Sequence, residues 1–239
     1  MRDIFIDNIG GLATVDGSGA FGLGVVSDAV VVVKDGVIDH VGPRGSARAP
    51  DGALVVDAGG KAVVPGLVDC HTHLVFLGDR SDEFARRARG ETYQQIGAAG
   101  GGIRSTMRAV RSASVDELVA AARPRLERMR KRGVTTVEIK SGYGLSVDDE
   151  LKMLHACKAL HGPTWIEPTL LAAHAVPPEE ASATSWTTTI IDQLLPRVVS
   201  DGVATACDVF VEAGSFSVDD ARRLLAAARD KGLLIKVHA

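Results

Sequence analysis

Pro65-Gly66-Leu67-Val68-Asp69-Cys70-His71-Thr72-His73-Leu74 separates two kinds of sequence in this chain of 239 residues. Residues 66–70 form a short apolar run that reads as a β-strand, and two histidines follow at its C-terminal end. Side chains two apart on an extended strand point to the same side, so both imidazoles can address one point. The spacing alone is a weak signal, because seven histidines in 239 positions give about 0.2 such pairs by chance. What lies on either side of the stretch gives it meaning.

Upstream the chain reads as a small all-β unit. Residues 29–33 and 37–41 are β-branched runs flanking Asp35-Gly36, a strong hairpin signal. Residues 54–56 and 61–64 repeat the pattern around Gly59-Gly60. Downstream, strand candidates at 66–70, 134–139, 165–171, 207–211 and 233–237 alternate with amphipathic helices. Ser114 with Glu117 forms a capping box, and its helix runs to Arg132 with a kink expected at Pro124. Ser146 with Asp149 starts a second helix, carrying Leu151 and Leu154 on one face. Ile190, Ile191, Leu194, Leu195 and Val198 mark a third. Ser217 with Asp220 starts a fourth, which Gly232 stops.

Apolar strands alternating with helices imply a parallel sheet covered by helices. The two architectures that fit are an open doubly wound sheet and a (β/α)8 barrel. No Gly-x-Gly-x-x-Gly turn follows the first strand, which weakens the dinucleotide-binding form of the open sheet. Gly100-Gly101-Gly102 lies within a long connection and reads as a bend. At roughly 35 residues per unit, eight units need about 280, close to a typical barrel. Five strand candidates therefore describe an incomplete barrel over 64–239, preceded by a β segment over 1–63, with about a hundred residues wanting for closure.

Composition narrows the chemistry. Lys plus Arg is 27 against 30 acidic residues, a net charge of −3, which argues against a nucleic-acid partner. The runs Arg86-Arg87, Arg89 and 128–132 read as solvated helix faces. Cys70, Cys157 and Cys207 are too few and scattered for a disulfide framework, and point to a reducing, cytoplasmic setting. No segment reads as a signal peptide or membrane span.

Four histidines, His71, His73, His174 and His238, fall at the C-terminal ends of strand candidates, where barrels keep their active sites. His40, His155 and His161 do not, and read as surface or satisfied histidines. Neutral imidazoles suit zinc or iron, and three protein ligands with an open position describe a catalytic metal. Asp69 precedes the pair on the opposite face from Cys70 and reads as structural.

The stretch 65–74 resembles the first-strand motif of the amidohydrolase superfamily, and the β segment before it resembles the composite β-sandwich of those enzymes. Three further stretches narrow the likeness: residues 71–80 ending in Gly78-Asp79-Arg80, Val137-Glu138-Ile139-Lys140-Ser141-Gly142-Tyr143-Gly144-Leu145, and Ala173-His174-Ala175-Val176-Pro177-Pro178. Together they resemble the imidazolonepropionases. That likeness implies a partial (β/α)8 TIM-type barrel and metal-dependent opening of the cyclic amide of 4-imidazolone-5-propanoate to N-formimidoyl-L-glutamate. It implies His71, His73 and His238 as ligands of one zinc or iron ion. Arg80, Tyr143 and His174 are implied as substrate contacts; a catalytic part for His174, stabilising the oxyanion beside the metal, is expected from the chemistry of such a site. The partner is a small molecule, with neither nucleic acid nor membrane, and the assembly it allows is a homodimer.

The residue chemistry fits these roles. Arg80 can pair with the propionate in a forked geometry while Tyr143 donates a hydrogen bond. The plainer alternatives are an ion pair of Arg80 with Asp79 or Asp82, and a Tyr143 hydroxyl at the core edge. Glu138 and Lys140 have no separate role at this level beyond orienting the loop. The fourth strand offers no lysine to bridge two metals, which favours one ion. The family continues past the third ligand with an acidic residue and a later aspartate, whereas this chain ends at Ala239, so activity of the 239 residues alone is not expected. Two alternatives remain open here: an amidohydrolase of another ring, such as a deaminase or dihydroorotase-like enzyme, and a non-catalytic truncated remnant.

Overall fold

The computed structural model describes residues 2–92, 95, 96 and 99–238. The chain divides into two compact units, Met1–Gly66 and Leu67–Ala239.

In the first unit, β1 (Ile4–Ala13), β2 (Val25–Lys34), β3 (Val37–Pro43), β4 (Leu54–Asp57) and β5 (Ala62–Val63) share one sheet in the order β3-β2-β1-β4, with β5 also on β1. The Asp35-Gly36 hairpin forms as expected: both residues have positive φ, 49° and 82°, which matches the twist of the flanking antiparallel strands. The unbroken apolar run in β2 is explained by burial of both sheet faces. Ala29 and Val31 pack with Ile9 and Leu12, while Val30 and Val32 pack with Phe5. Residues 54–56 and 61–64 do not repeat the hairpin. Both β4 and β5 run parallel to β1, one after the other. The Gly59-Gly60 turn steps the chain along β1 and presses Gly60 onto Gly10, where an added Cβ would lie 2.1 Å from the Gly60 carbonyl oxygen.

The second unit is a parallel sheet of β6 (Leu67–Thr72), β7 (Val134–Lys140), β8 (Trp165–Ala173), β9 (Ala206–Val209) and β10 (Leu234–Ile235), in the order of the chain. A doubly wound sheet needs a point where the order reverses. This sheet has none, so it is the partial β/α barrel of the two alternatives. Among the described residues its α-helices include α1 (Ser81–Ala88), α2 (Ile103–Ser112), α3 (Val115–Arg130), α4 (Val147–Ala159), α5 (Ala183–Thr189), α6 (Leu195–Asp201) and α7 (Val218–Asp230). Arg86 and Arg87 lie on α1, the solvated helix face expected there, whereas α2 carries no local sequence signal. Gly102, within the expected bend, is the N-cap of α2.

Local signals fix most helix starts. Ser114 and Ser217 form capping boxes with Glu117 and Asp220, and Ser146 caps α4 by accepting from the Asp149 amide. Pro124 does not interrupt α3, because Leu118, Ala122 and Leu126 hold one buried stripe across it. The third expected helix is α5 and α6 joined by a wider π-helical turn at Ile190–Leu194.

Between helices and sheet lie two apolar layers. One gathers Leu118, Leu126, Val137, Ile139 and Met153; the other gathers Leu154, Leu170, Trp186, Ile190, Leu195 and Leu224. Strand β7 alternates sharply: Val137 and Ile139 face this layer, while Glu138 and Lys140 occupy the other face. All three cysteines are free thiols, Cys70 exposed and Cys157 and Cys207 buried. Burial pushes the last two up to about 12. Among the described residues no helix is long and apolar enough to cross a membrane. A thiol-specific reagent is expected to label one cysteine in the native chain and all three after denaturation, as read by mass spectrometry. Rapid native labelling of Cys157 or Cys207 would contradict the packing of α4 or β9.

Candidate active site

Parallel strands in chain order bring their C-terminal ends to one side, and the four selected histidines meet there. His71 lies one residue before the end of β6, with His73 two residues on. His174 follows β8 directly, and His238 pairs with Phe210 beyond β9 and β10. The rings form a circuit. His71 and His73 lie 5.8 Å apart between centroids, His73 stacks on His174 at 4.7 Å, and His174 meets Phe210 at 6.4 Å. Phe210 meets His238 at 4.8 Å, and His238 returns to His71 at 4.7 Å. Tyr143, half-buried beyond β7, packs on His73 at 5.0 Å and His174 at 5.5 Å. Neither Phe210 nor the contact of Phe76 with Tyr143 was part of the sequence expectation, since a lone phenylalanine at a strand end carries no chemical signal.

Desolvation favours the neutral form of three of these rings, His71, His73 and His174. It pushes His73 down to about 3, helped by the neighbouring His174 and His71. His71 and His174 are lowered too, first by burial; for His71 the next cause is the charge of Lys140. The Nδ1 atoms of His73 and His238 are buried with no hydrogen-bond partner. Among the described residues no three His, Cys, Asp or Glu side chains form a group that holds an ion as they stand. The donor chemistry nonetheless suits one, because neutral imidazoles with unpartnered buried nitrogens are what zinc or iron takes.

His174 has a defined tautomer. Its Nδ1 lies 3.0 Å from the Gly142 carbonyl oxygen. A carbonyl only accepts, so Nδ1 carries the proton and the neutral ring keeps its lone pair on Nε2. Such a ring accepts a hydrogen bond at Nε2 instead of donating one to an oxyanion.

On the inner face of the sheet lies a charged group whose composition the sequence reading left without a role. Lys140 Nζ lies 2.7 Å from Asp208 Oδ2 and 2.9 Å from Glu138 Oε2. Lys236 also binds Glu138, and Thr169 donates to the same carboxylate at 2.6 Å. Lys140, Glu138 and Asp208 are each no more than 3% exposed. Two cations and two anions balance here. Burial alone would raise Glu138, but hydrogen bonds from Lys236, Thr169 and Lys140 bring it below the ordinary carboxylate range. Glu138 and Lys140 therefore belong to the sheet interior and not to the loop. The alternation of charge with Val137 and Ile139 was the signal that could have found them.

Arg80 is the N-cap residue of α1. Its guanidinium pairs with Glu83 at 2.7 Å, not with Asp79 or Asp82, and borders a cavity with Phe84, Arg87 and Ile96. Asp69 accepts from the His71 amide at 3.4 Å. Of the three histidines set aside, His155 is engaged with Asp201 and His40 with Ser46.

No protein-family model matches the chain. Imidazolonepropionases do: that of Sphingopyxis alaskensis is 49% identical over 231 residues, covering 95% of this chain and 56% of the relative. Those of Deinococcus radiodurans and Myxococcus xanthus are 50% and 47% identical, with 53% and 59% of the relative covered. The chain thus spans little more than half the length of these relatives. Among solved structures, 5-methylcytosine deaminase from Klebsiella pneumoniae superposes with a TM-score of 0.66 at 18% identity, over 98% of this chain and 51% of that one. N-isopropylammelide isopropylaminohydrolase from Burkholderia multivorans gives 0.61 at 19%, over 100% and 54%. These likenesses establish a shared fold.

Replacing one member of a buried ion group strands the others. Lys140→Met is expected to cost about 3–5 kcal/mol, read as a lower denaturant midpoint at unchanged slope. Glu138 lies below its unfolded value of 4.5, so the stability it contributes is present above about pH 4.5 and is lost as pH falls through its folded value. Glu138→Gln should flatten that acid limb in unfolding curves; an unaltered limb would mean that Glu138 is solvated.

Proposed function

We propose, from the homology of this chain to the N-terminal portion of the imidazolonepropionases, that it supplies the substrate-holding half of an enzyme that opens a cyclic amide. The substrate is 4-imidazolone-5-propanoate and the product N-formimidoyl-L-glutamate. The observation that carries the reading is the circuit of imidazoles at the strand ends, with Tyr143 packed against two of them. Three free thiols accord with a reducing, cytoplasmic setting.

His71, His73 and His238 would hold the metal, and their unpartnered or neutral nitrogens support that role. When bound, a zinc or iron ion supplies Lewis acidity towards the ring carbonyl. His174, with its lone pair on Nε2, accepts an N–H of the planar ring and so fixes the ring's orientation. Tyr143 borders the same space and donates its hydroxyl to the substrate. Arg80, with its forked guanidinium, takes the propionate, exchanging its contact with Glu83 for the substrate carboxylate. The carboxylates that act on His71 electrostatically, Glu138 and Asp208, are committed to lysines. The proposal therefore assigns the group that carries the water proton to the part of the relatives' length that this chain does not span.

The test is hydrolysis of 4-imidazolone-5-propanoate by the protein that carries this chain, followed by loss of the imidazolone absorbance. Arg80→Met is expected to raise KM about 10–100-fold, the loss of a charge-assisted pair, with kcat changed much less. An unchanged KM would remove Arg80 from the site. Turnover of cytosine or dihydroorotate in place of the imidazolone would favour the deaminase or dihydroorotase-like reading.

A further inference from the structure

The loop between β7 and α4 carries Tyr143 in a conformation it cannot hold alone. Gly142 has φ 106°, where an added Cβ would fall 2.8 Å from the Leu171 carbonyl oxygen and 2.9 Å from His174 Nδ1. Leu145 is left-handed at φ 51°, an arrangement disfavoured for a residue with a Cβ. At Gly144 a Cβ would lie 2.5 Å from backbone atoms of Asp149 and Glu150. These turns aim three backbone N–H groups at one spot, a concavity that favours an anion.

Glu150 fills it. This residue in the first turn of α4 is 0% exposed. One of its oxygens accepts from the Gly142 amide at 2.8 Å; the other accepts from Gly144 and Leu145, each at 2.8 Å. The carbonyls of the same loop are held from the opposite side. Arg111 of α2 donates to the Gly144 oxygen at 2.8 Å and to the Leu145 oxygen at 2.6 Å, and Glu179 anchors its guanidinium at 2.6 Å. The peptide groups on both sides of Tyr143 are thereby clamped. Gly142 links the clamp to the ring circuit, because its N–H is bound by Glu150 and its carbonyl accepts the Nδ1 proton of His174.

We propose that Glu150, assisted by Arg111, is the positioning residue of this site: it sets the place of Tyr143 and the tautomer of His174 without touching substrate. This inference rests on the substrate-contacting roles proposed above for Tyr143 and His174. In a variant whose loop remains folded, loss of a carboxylate with a stability role alone leaves the His174 tautomer unchanged. Loss of a positioning carboxylate does not.

The test is Glu150→Gln, nearly isosteric but with an amide group turned towards N–H donors. In nitrogen-15 imidazole spectra of this chain, His174 is expected as the Nδ1–H tautomer. The variant should show loss of that single tautomer, with His40 and His155 unchanged as internal controls. In the protein that carries the chain, kcat/KM for the imidazolone should fall about 10²-fold, the scale of a misplaced reacting group. Arg111→Lys keeps the charge, loses the fork, and should move both readouts in the same direction by less; it also decides the matter where Glu150→Gln does not fold. An unchanged His174 tautomer in the folded variants would overturn the proposal. Absence of imidazolone turnover by the unsubstituted protein would overturn the substrate assignment instead, and the tautomer measurement would still judge Glu150.

Discussion

A lysine buried between two carboxylates ties the sheet together where its chemistry lies. Lys140 of β7 reaches Asp208 of β9 across β8, and Glu138 reaches forward to Lys236 beyond β10. Removing such charges from water is expensive, and the expense is offset only when geometry and additional hydrogen bonds are good. Here Thr169 supplies a further donor, and Asp208 also accepts from the Val209 amide at 2.7 Å. An apolar filling could hold the strands as well. The ion group adds a charge-balanced surface next to His71, where both signs act on that ring.

The ring circuit and the clamped loop rest on this frame by separate means. His71, His73 and His174 are held towards the neutral form by desolvation, so they offer lone pairs to a cation or to donor N–H groups. The loop of Tyr143 is held by a carboxylate on its amides and a guanidinium on its carbonyls. Beyond His73 the chain is secured in a related way: Arg125 of α3 donates to the Leu74 and Phe76 carbonyls and lies 3.7 Å over the Phe76 ring. Long cationic side chains from the helices thus hold two of the loops around the circuit, a division of labour that leaves the strand ends themselves for the site.

Much of this was legible in the residues. The capping serines, the Asp35-Gly36 turn and the strand periods are local signals, set by backbone geometry within a few positions. The four histidines at strand ends were legible once the strands were assigned, because parallel order places all those ends together. Less legible were the start of α1 and the whole of α2, which carry no side-chain cap hydrogen bond, and the parallel docking of β4 and β5. The latter replaced the second hairpin because β1 offers an edge to both, and no local turn residue reports that.

The sequence by itself determined the two-part organisation, the β/α alternation and the set of residues able to do chemistry. Each of these depends on interactions within one element or one turn. Only the tertiary structure decided the partners: Lys140 with Asp208, 68 positions away, Lys236 with Glu138, 98 away, and His174 with Gly142, 32 away. Long-range pairs leave no periodic trace, since any buried charge could be satisfied by any opposite charge the fold brings near. The choice among them is made by strand register and burial, which exist only after the sheet has formed.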